Sequence, residues 1–168
     1  MVVGNMGTDK KLNYTIMGNN VNLASRLEGT NKVYGSWIMA SESTWQTADA
    51  GENKGKLVAR AFDAVRVINV KKPVRIYNII GLRSELSETQ IKATDLFNQG
   101  MEWYMKGADT PNTPKDPSDL KKAYDLYKQA AELYPADKSS AYFMSRCEDF
   151  LRDGLPEVWD GVFTMKTK

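Results

Sequence analysis

The sequence predicts an α+β fold in which a mixed region, residues 1–82, is followed by an all-α region, residues 83–168. In the first region, runs with the two-residue period of strands alternate with two helical segments, which indicates an α/β or α+β unit. After Ser87 the β-branched runs stop and apolar residues recur at helical spacing. Hydrophobic residues make up 42% of the chain, a share that is normal for a globular protein.

The mixed region begins with a predicted hairpin over residues 1–17. Its strands flank a polar turn, Thr8 to Lys11, and Gly18 ends the second strand. Asn19 or Asn20 is expected to cap a helix over about 20–33 by accepting a hydrogen bond from an exposed amide. The later elements are a short strand at 37–40, a helix capped by Ser41, a strand pair at 57–67 with a kink near Asp63, and a strand at 74–80.

Three helices are predicted in the all-α region. The first, after Ser87, is marked by Ile91, Leu96, Phe97 and Met101, and the other two cover about 119–134 and 139–152. A tail at 155–168 is expected to pack across them through Trp159 and Phe163. A segment with three prolines, residues 108–118, separates the first two and must be a loop.

The second of these helices has the spacing of a tetratricopeptide repeat. The matching residues are Ala123, Tyr127, Ala130 and Pro135, with Gly100 in the preceding helix. The proline-rich loop is longer than that repeat permits, and such arrays usually need about three units for stability. An ordinary helical hairpin is therefore the alternative interpretation.

Composition excludes several functions. The chain contains no histidine, which removes Ser-His-Asp and Cys-His catalysis and every histidine-based metal site. Cys147 is the only cysteine, so no internal disulfide forms. The net charge is +2 and no basic run with interleaved aromatics occurs, so no nucleic-acid partner is expected. Without a signal peptide or an apolar span of roughly 18 residues, a cytoplasmic location is expected.

A polar pair stands at the start of the first predicted helix. Asn22 and Arg26 fall four residues apart and therefore on one helical face. An amide and a fixed cation near a helix N-terminus suit an anionic ligand, because the helix dipole acts in the same sense. The alternative is that both residues belong to an ordinary solvated face.

Residues 1 to about 82 resemble the C-terminal part of a class III nucleotidyl cyclase catalytic domain. The matching segments, in order, are VVGNMG, NYTIMGNNVNLASRLEG, YGSWIMASEST, RAFDAVRV and PVRIYNIIG. The resemblance implies the C-terminal portion of a ferredoxin-like domain. The helical region, which closes with WDGVFTMKTK, resembles the tail that follows this domain in many bacterial cyclases.

The resemblance implies that a nucleoside triphosphate is converted to a 3′,5′-cyclic nucleotide and pyrophosphate, at a site shared by two catalytic domains. Asn22 matches the asparagine that orients the ribose, and Arg26 matches the arginine that stabilises charge on the α-phosphate. Thr15 matches a purine-selecting position and points to ATP rather than GTP. The implied partners are thus ATP and a second cyclase domain.

The sequence also departs from the family pattern. The family's two aspartates, which bind two Mg²⁺ or Mn²⁺ ions, lie upstream of the matching region, and Asp9, Asp49 and Asp63 do not occupy their places. Residues 68–70 stand where the family has Lys-Gly-Lys, so Lys71, or its neighbour Lys72, reaches the triphosphate only if the strand register shifts.

Two hypotheses follow. The first is the C-terminal part of a bacterial adenylate cyclase, inactive on its own, whose complete form is often attached to the membrane through upstream domains. The second is a non-catalytic interaction module, a vestigial cyclase scaffold that binds a protein partner through residues 87–168.

Overall fold

The computed structural model describes residues 1–8, 10–66, 73–108 and 115–163. The predicted hairpin is confirmed: β1 (Val2–Thr8) pairs antiparallel with β2 (Lys11–Met17). Among the described strands these two form a sheet of their own. Several of their apolar side chains are exposed, and Tyr14 is the extreme at 76%.

Helix α1 (Asn19–Tyr34) follows the hairpin directly. The prediction that Asn19 or Asn20 caps this helix is wrong, because both residues already lie inside it. Gly18 is the N-cap, and its carbonyl accepts the Val21 and Asn22 amides at 3.1 Å each. Within the described part of the chain, no side chain caps this end. At the other end Gly35 adopts a left-handed conformation, φ 66°, which glycine reaches without a Cβ clash.

The main sheet has the strand order β3-β5-β4-β6. In chain order its strands are β3 (Met39–Ser41), β4 (Leu57–Val65), β5 (Val74–Leu82) and β6 (Val162–Phe163). Helix α2 (Glu42–Ala48) lies between β3 and β4 in the chain. Ser41 caps α2 as predicted, because its Oγ accepts the Thr44 amide at 3.3 Å. Where a strand pair is predicted at 57–67, the described residues form a single strand, β4. Its predicted kink is confirmed as a register shift between Ala61 and Ala64.

The three predicted helices are confirmed as α3 (Glu88–Met105), α4 (Pro117–Leu133) and α5 (Lys138–Asp153). Gly100 lets α4 approach α3 closely, since an added Cβ would lie 2.8 Å from Cε1 of Tyr127. Trp159 packs on the helices as expected, 5.1 Å from Tyr104 and 5.5 Å from Phe150 between ring centroids. The tetratricopeptide identity of these helices stays a prediction.

Strand β6 was not predicted. It pairs in parallel with Ala64 and Val65 of β4, so the end of the helical region returns to the sheet. A two-residue strand is too short to show any periodicity in the sequence. Further along β4, α3 provides a different contact. The Asn98 side chain accepts the Ala61 amide at 3.2 Å and donates to the Ala59 carbonyl at 3.1 Å.

The buried residues of the two regions form one continuous cluster. Phe62 of β4 lies at its centre, with ring centroids 4.9 Å from Tyr34, 5.6 Å from Phe97 and 5.5 Å from Phe143. These partners come from α1, α3 and α5. The division of the chain into two domains at residue 82 stays a prediction, but the apolar core is shared across it.

Candidate active site

Asn22 and Arg26 lie on consecutive turns of α1, on one face of the helix. Asn22 is exposed and Arg26 is half-buried. The Arg26 carbonyl accepts a hydrogen bond from Thr30 Oγ1 at 2.6 Å, as part of the helix. Its guanidinium forms no ion pair with any carboxylate in the described ranges. The pair therefore presents an amide and an uncompensated cation side by side.

Thr15 lies in β2, opposite Gly4 of β1, and is half-buried. Strand β2 runs through Met17 and Gly18 straight into α1, so the hairpin and the Asn22/Arg26 helix are adjacent in the chain. Lys71 lies outside the described residues, as do residues 68–70. The roles of all four candidate residues stay predictions.

Two cavities lie beside the sheet. The larger, about 600 Å³, lies between α1, β3 and α2 and includes Leu23, Ala24 and Leu27 in its lining. The smaller, about 350 Å³, is bounded by α2, β4, β5 and α3. Neither is lined by Thr15, Asn22 or Arg26. At about 100° per residue, Asn22 and Arg26 face away from the side of α1 that lines the larger cavity. Thr15, Asn22 and Arg26 thus lie outside these two cavities.

The carboxylates do not form a metal site within the described part of the chain. No group of three His, Cys, Asp or Glu residues there is arranged to hold an ion. Asp49 accepts the Gly55 amide at 2.8 Å, and Asp63 is engaged by Tyr34 and Arg146. Asp9 lies outside the described residues. The residues present therefore do not fit the two-ion centre of the resembled family.

Asp63 is the centre of a buried polar cluster that the sequence did not predict. Its Oδ2 accepts a hydrogen bond from the Tyr34 hydroxyl at 2.7 Å and forms an ion pair with Arg146. Burial raises the pKa of Asp63 above its ordinary value, while Arg146 and the Tyr34 hydrogen bond lower it. The available signal was a carboxylate inside the apolar run AFDAV, since a buried acid of this kind requires a cationic or hydrogen-bonding partner.

A second buried ion pair joins the same two regions. Nη1 of Arg60 in β4 lies 2.6 Å from Oδ1 of Asp137, and the two side chains are 4% and 6% exposed. Asp137 also caps α5 by accepting the Ser139 and Ser140 amides at 3.1 and 3.3 Å. The helical region is therefore tied to the sheet by charges as well as by the shared core.

Comparisons with known proteins indicate a chain related to adenylate cyclases. It is 27% identical over 147 residues to the terminal-differentiation-specific adenylate cyclase of Dictyostelium discoideum, covering 87% of this chain and 6% of that protein. It is 33% identical over 89 residues to adenylate cyclase 1 of Rhizobium meliloti, covering 53% of this chain and 13% of that protein. No family model and no solved structure matches the chain.

The chain thus spans only a small part of the length of either relative. An alignment of 147 residues in a chain of 168 necessarily runs through both the mixed and the helical region. The similarity to the Dictyostelium protein is therefore not confined to the segments that resemble the catalytic domain. In the described part of the chain, no helix combines the length and apolar character needed to cross a bilayer.

Proposed function

We propose that this chain is the C-terminal part of an adenylate cyclase catalytic domain together with the helical tail that follows it. The observation that carries the proposal is the pair on α1: Asn22 and Arg26 lie one turn apart on one face of the helix, outside both cavities, and Arg26 has no carboxylate partner among the described residues. The two relatives named adenylate cyclases support the same reaction class.

In this proposal, each residue has one role at a site shared with a second cyclase domain. Arg26 donates to the α-phosphate of ATP as negative charge develops there, work that suits a planar and permanently charged guanidinium. The Asn22 amide orients the ribose, so that its 3′-hydroxyl faces the α-phosphate. The Thr15 hydroxyl selects adenine, and Lys71 contacts the triphosphate.

The metal ions of the family need ligands that the described residues do not provide. We therefore expect the purified chain to produce no cyclic AMP from ATP with either Mg²⁺ or Mn²⁺, since neither nucleophile nor leaving group is stabilised as a two-ion site requires. Clear cyclic AMP production under those conditions would show that this expectation is wrong.

A segment exchange tests the proposal directly. Residues 1–82 of this chain, which include Thr15, Arg26 and Lys32, replace the corresponding part of the catalytic domain of the Rhizobium relative, and cyclic AMP formation is measured. We expect an active chimera whose kcat falls about 100-fold or more on Arg26→Ala, the cost of losing a transition-state donor. Lys32→Ala is the control, because Lys32 is an exposed cation on the same helix outside the proposed site.

Two results would count against the proposal. The first is an active chimera in which Arg26→Ala and Lys32→Ala have the same kcat. The second is a folded and soluble chimera without activity, which would favour the interaction module. In the active chimera, Thr15→Ala is expected to lower the preference for ATP over GTP, measured as the ratio of kcat/KM values.

A further inference from the structure

We propose that Asp63, Tyr34 and Arg146 form a positioning cluster through which the helical region fixes the placement of α1. The inference rests on the proposed function in one respect: α1 is the helix that presents Asn22 and Arg26. The three residues come from β4, α1 and α5, so the cluster joins the sheet, the site helix and the helical region at one buried point.

The cluster acts on the last turn of α1. Tyr34 is that helix's final residue and is fully buried, and its hydroxyl donates to Asp63 at 2.7 Å. Its backbone carbonyl accepts a hydrogen bond from Ser139 Oγ of α5 at 2.8 Å. The next residue, Gly35, lies against Lys138 so closely that an added Cβ would stand 2.5 Å from the Lys138 Cβ. The first turn of α5 therefore contacts the end of α1 directly.

Arg146 pairs with Oδ2 of Asp63, the same oxygen that accepts the Tyr34 hydroxyl. Its guanidinium lies 5.3 Å from the ring centroids of both Tyr104 and Phe143, and 5.7 Å from that of Tyr142. Aromatic rings around a guanidinium restrict its movement through cation–π attraction. Because these rings limit how far Arg146 can follow a displaced carboxylate, the ion pair helps to set where Asp63, and with it Tyr34, lies.

Among the described residues, no side chain caps the opposite end of α1, where Gly18 is the N-cap. This end follows a hairpin whose two strands form a sheet separate from the other described strands. Arg26 lies eight residues before Tyr34, about 12 Å along the helix at 1.5 Å per residue. A tilt of about 10° at Tyr34 therefore moves the Arg26 backbone by about 2 Å, and a shift of about 1 Å is enough to cost about 100-fold in a reaction that depends on alignment.

The test removes the cluster's charges without leaving one of them buried alone. The variant Asp63→Leu/Arg146→Met replaces the pair by apolar side chains of similar size, an exchange that buried ion pairs often tolerate. The control is Arg152→Met, which removes an arginine of the same helix whose partners among the described residues are the exposed Asp149 and Asp153. Both variants are made in the full 168-residue chain.

Amide hydrogen exchange and a spin-label distance report the position of α1. We expect amides of residues 23–34 to exchange at least tenfold faster in the double variant, while α3 and α4 stay within twofold of the unsubstituted chain. Labels on cysteines introduced at exposed Ser25 and Lys92 should show a shifted or broader distance distribution. The Arg152→Met control should match the unsubstituted chain in both measurements.

Retention of normal α1 exchange and of the label distance in the double variant would overturn the proposal. If the double variant does not fold, Tyr34→Phe is used instead, because it keeps the ring and removes only the hydroxyl. Amide exchange of α1 at the original rate in Tyr34→Phe would then overturn the proposal. Arg146→Lys, which keeps the charge, should restore part of the protection lost in Arg146→Met. Neither measurement uses nucleotide, so a failure of the cyclase proposal is seen separately, in the activity of the chimera.

Discussion

Replacing Asp137 by serine is expected to destabilise the chain by about 3–5 kcal/mol, the typical cost of leaving one partner of a buried ion pair alone. Oδ1 of Asp137 lies 2.6 Å from Nη1 of Arg60, and both side chains are almost completely buried. Serine also caps helices well, so an acceptor for the amides at the start of α5 remains. The buried Ser140 hydroxyl donates to Asp137 Oδ2, so the expected cost includes this hydrogen bond as well as the isolated charge. Arg60 would remain buried over the Phe97 ring, 5.0 Å from its centroid, without a counter-charge.

A double-mutant cycle separates the worth of the pair from the cost of the unpaired charge. In Arg60→Met/Asp137→Ser both charges of this pair are removed together, so we expect that variant to lie within about 2 kcal/mol of the original chain. The matched control is the pair Arg66–Asp160, which has a similar distance of 2.7 Å but side chains 59% and 47% exposed. Breaking that pair should cost about 1 kcal/mol or less, because water screens it.

The measurement is urea unfolding followed by far-ultraviolet circular dichroism and by tryptophan fluorescence, whose transitions should coincide if the chain unfolds as one unit. Since the core is shared, coincidence is expected. A loss of unfolding free energy under about 1 kcal/mol in Asp137→Ser would contradict this prediction. An equal loss in Arg66→Met and Asp137→Ser would contradict it as well.

Two further predictions concern packing and titration. Gly100→Ala should lower the free energy of unfolding by about 1–3 kcal/mol, although alanine has the better helix propensity. The reason is that the new methyl group would lie 2.8 Å from Cε1 of Tyr127. An unchanged or raised Tm would contradict this prediction. Burial raises the pKa of the Cys147 thiol from about 9 to about 12. The folded state therefore favours the protonated thiol, and its contribution to stability is present below pH 9 and lost as the pH rises towards 12. Urea midpoints should fall more steeply over that range in the original chain than in Cys147→Ala, and equal slopes would contradict the assignment.

The sequence predicted the elements whose causes are local. The hairpin follows from alternation and a polar turn, the cap of α2 from Ser41, and the bulge of β4 from a charged residue in an apolar run. The face shared by Asn22 and Arg26 follows from their spacing alone. The start of α1 is predicted to within one residue, but its cap is not. Asparagine is a frequent cap, whereas here Gly18 ends the strand and is the N-cap, whose carbonyl accepts the first helical amides.

The contacts between the two regions were beyond the reach of sequence patterns. Asp63 and Arg146 are 83 residues apart, and Arg60 and Asp137 are 77 apart, so no local periodicity connects them. Sequence patterns also do not show where the candidate site lies relative to the cavities. Spacing puts Asn22 and Arg26 on one face, but only the tertiary structure shows that this face lines neither cavity.

The Asn98 side chain has a consequence for how the mixed region behaves by itself. This side chain forms hydrogen bonds with an amide and a carbonyl of β4, so it takes the place of a neighbouring strand along part of the edge of β4. Strand β6 covers another part of that edge. Unpaired strand borders are templates for intermolecular β-pairing. The helical region thus acts as protection against self-association, and a version of the chain shortened to residues 1–82 would expose this border and tend to aggregate.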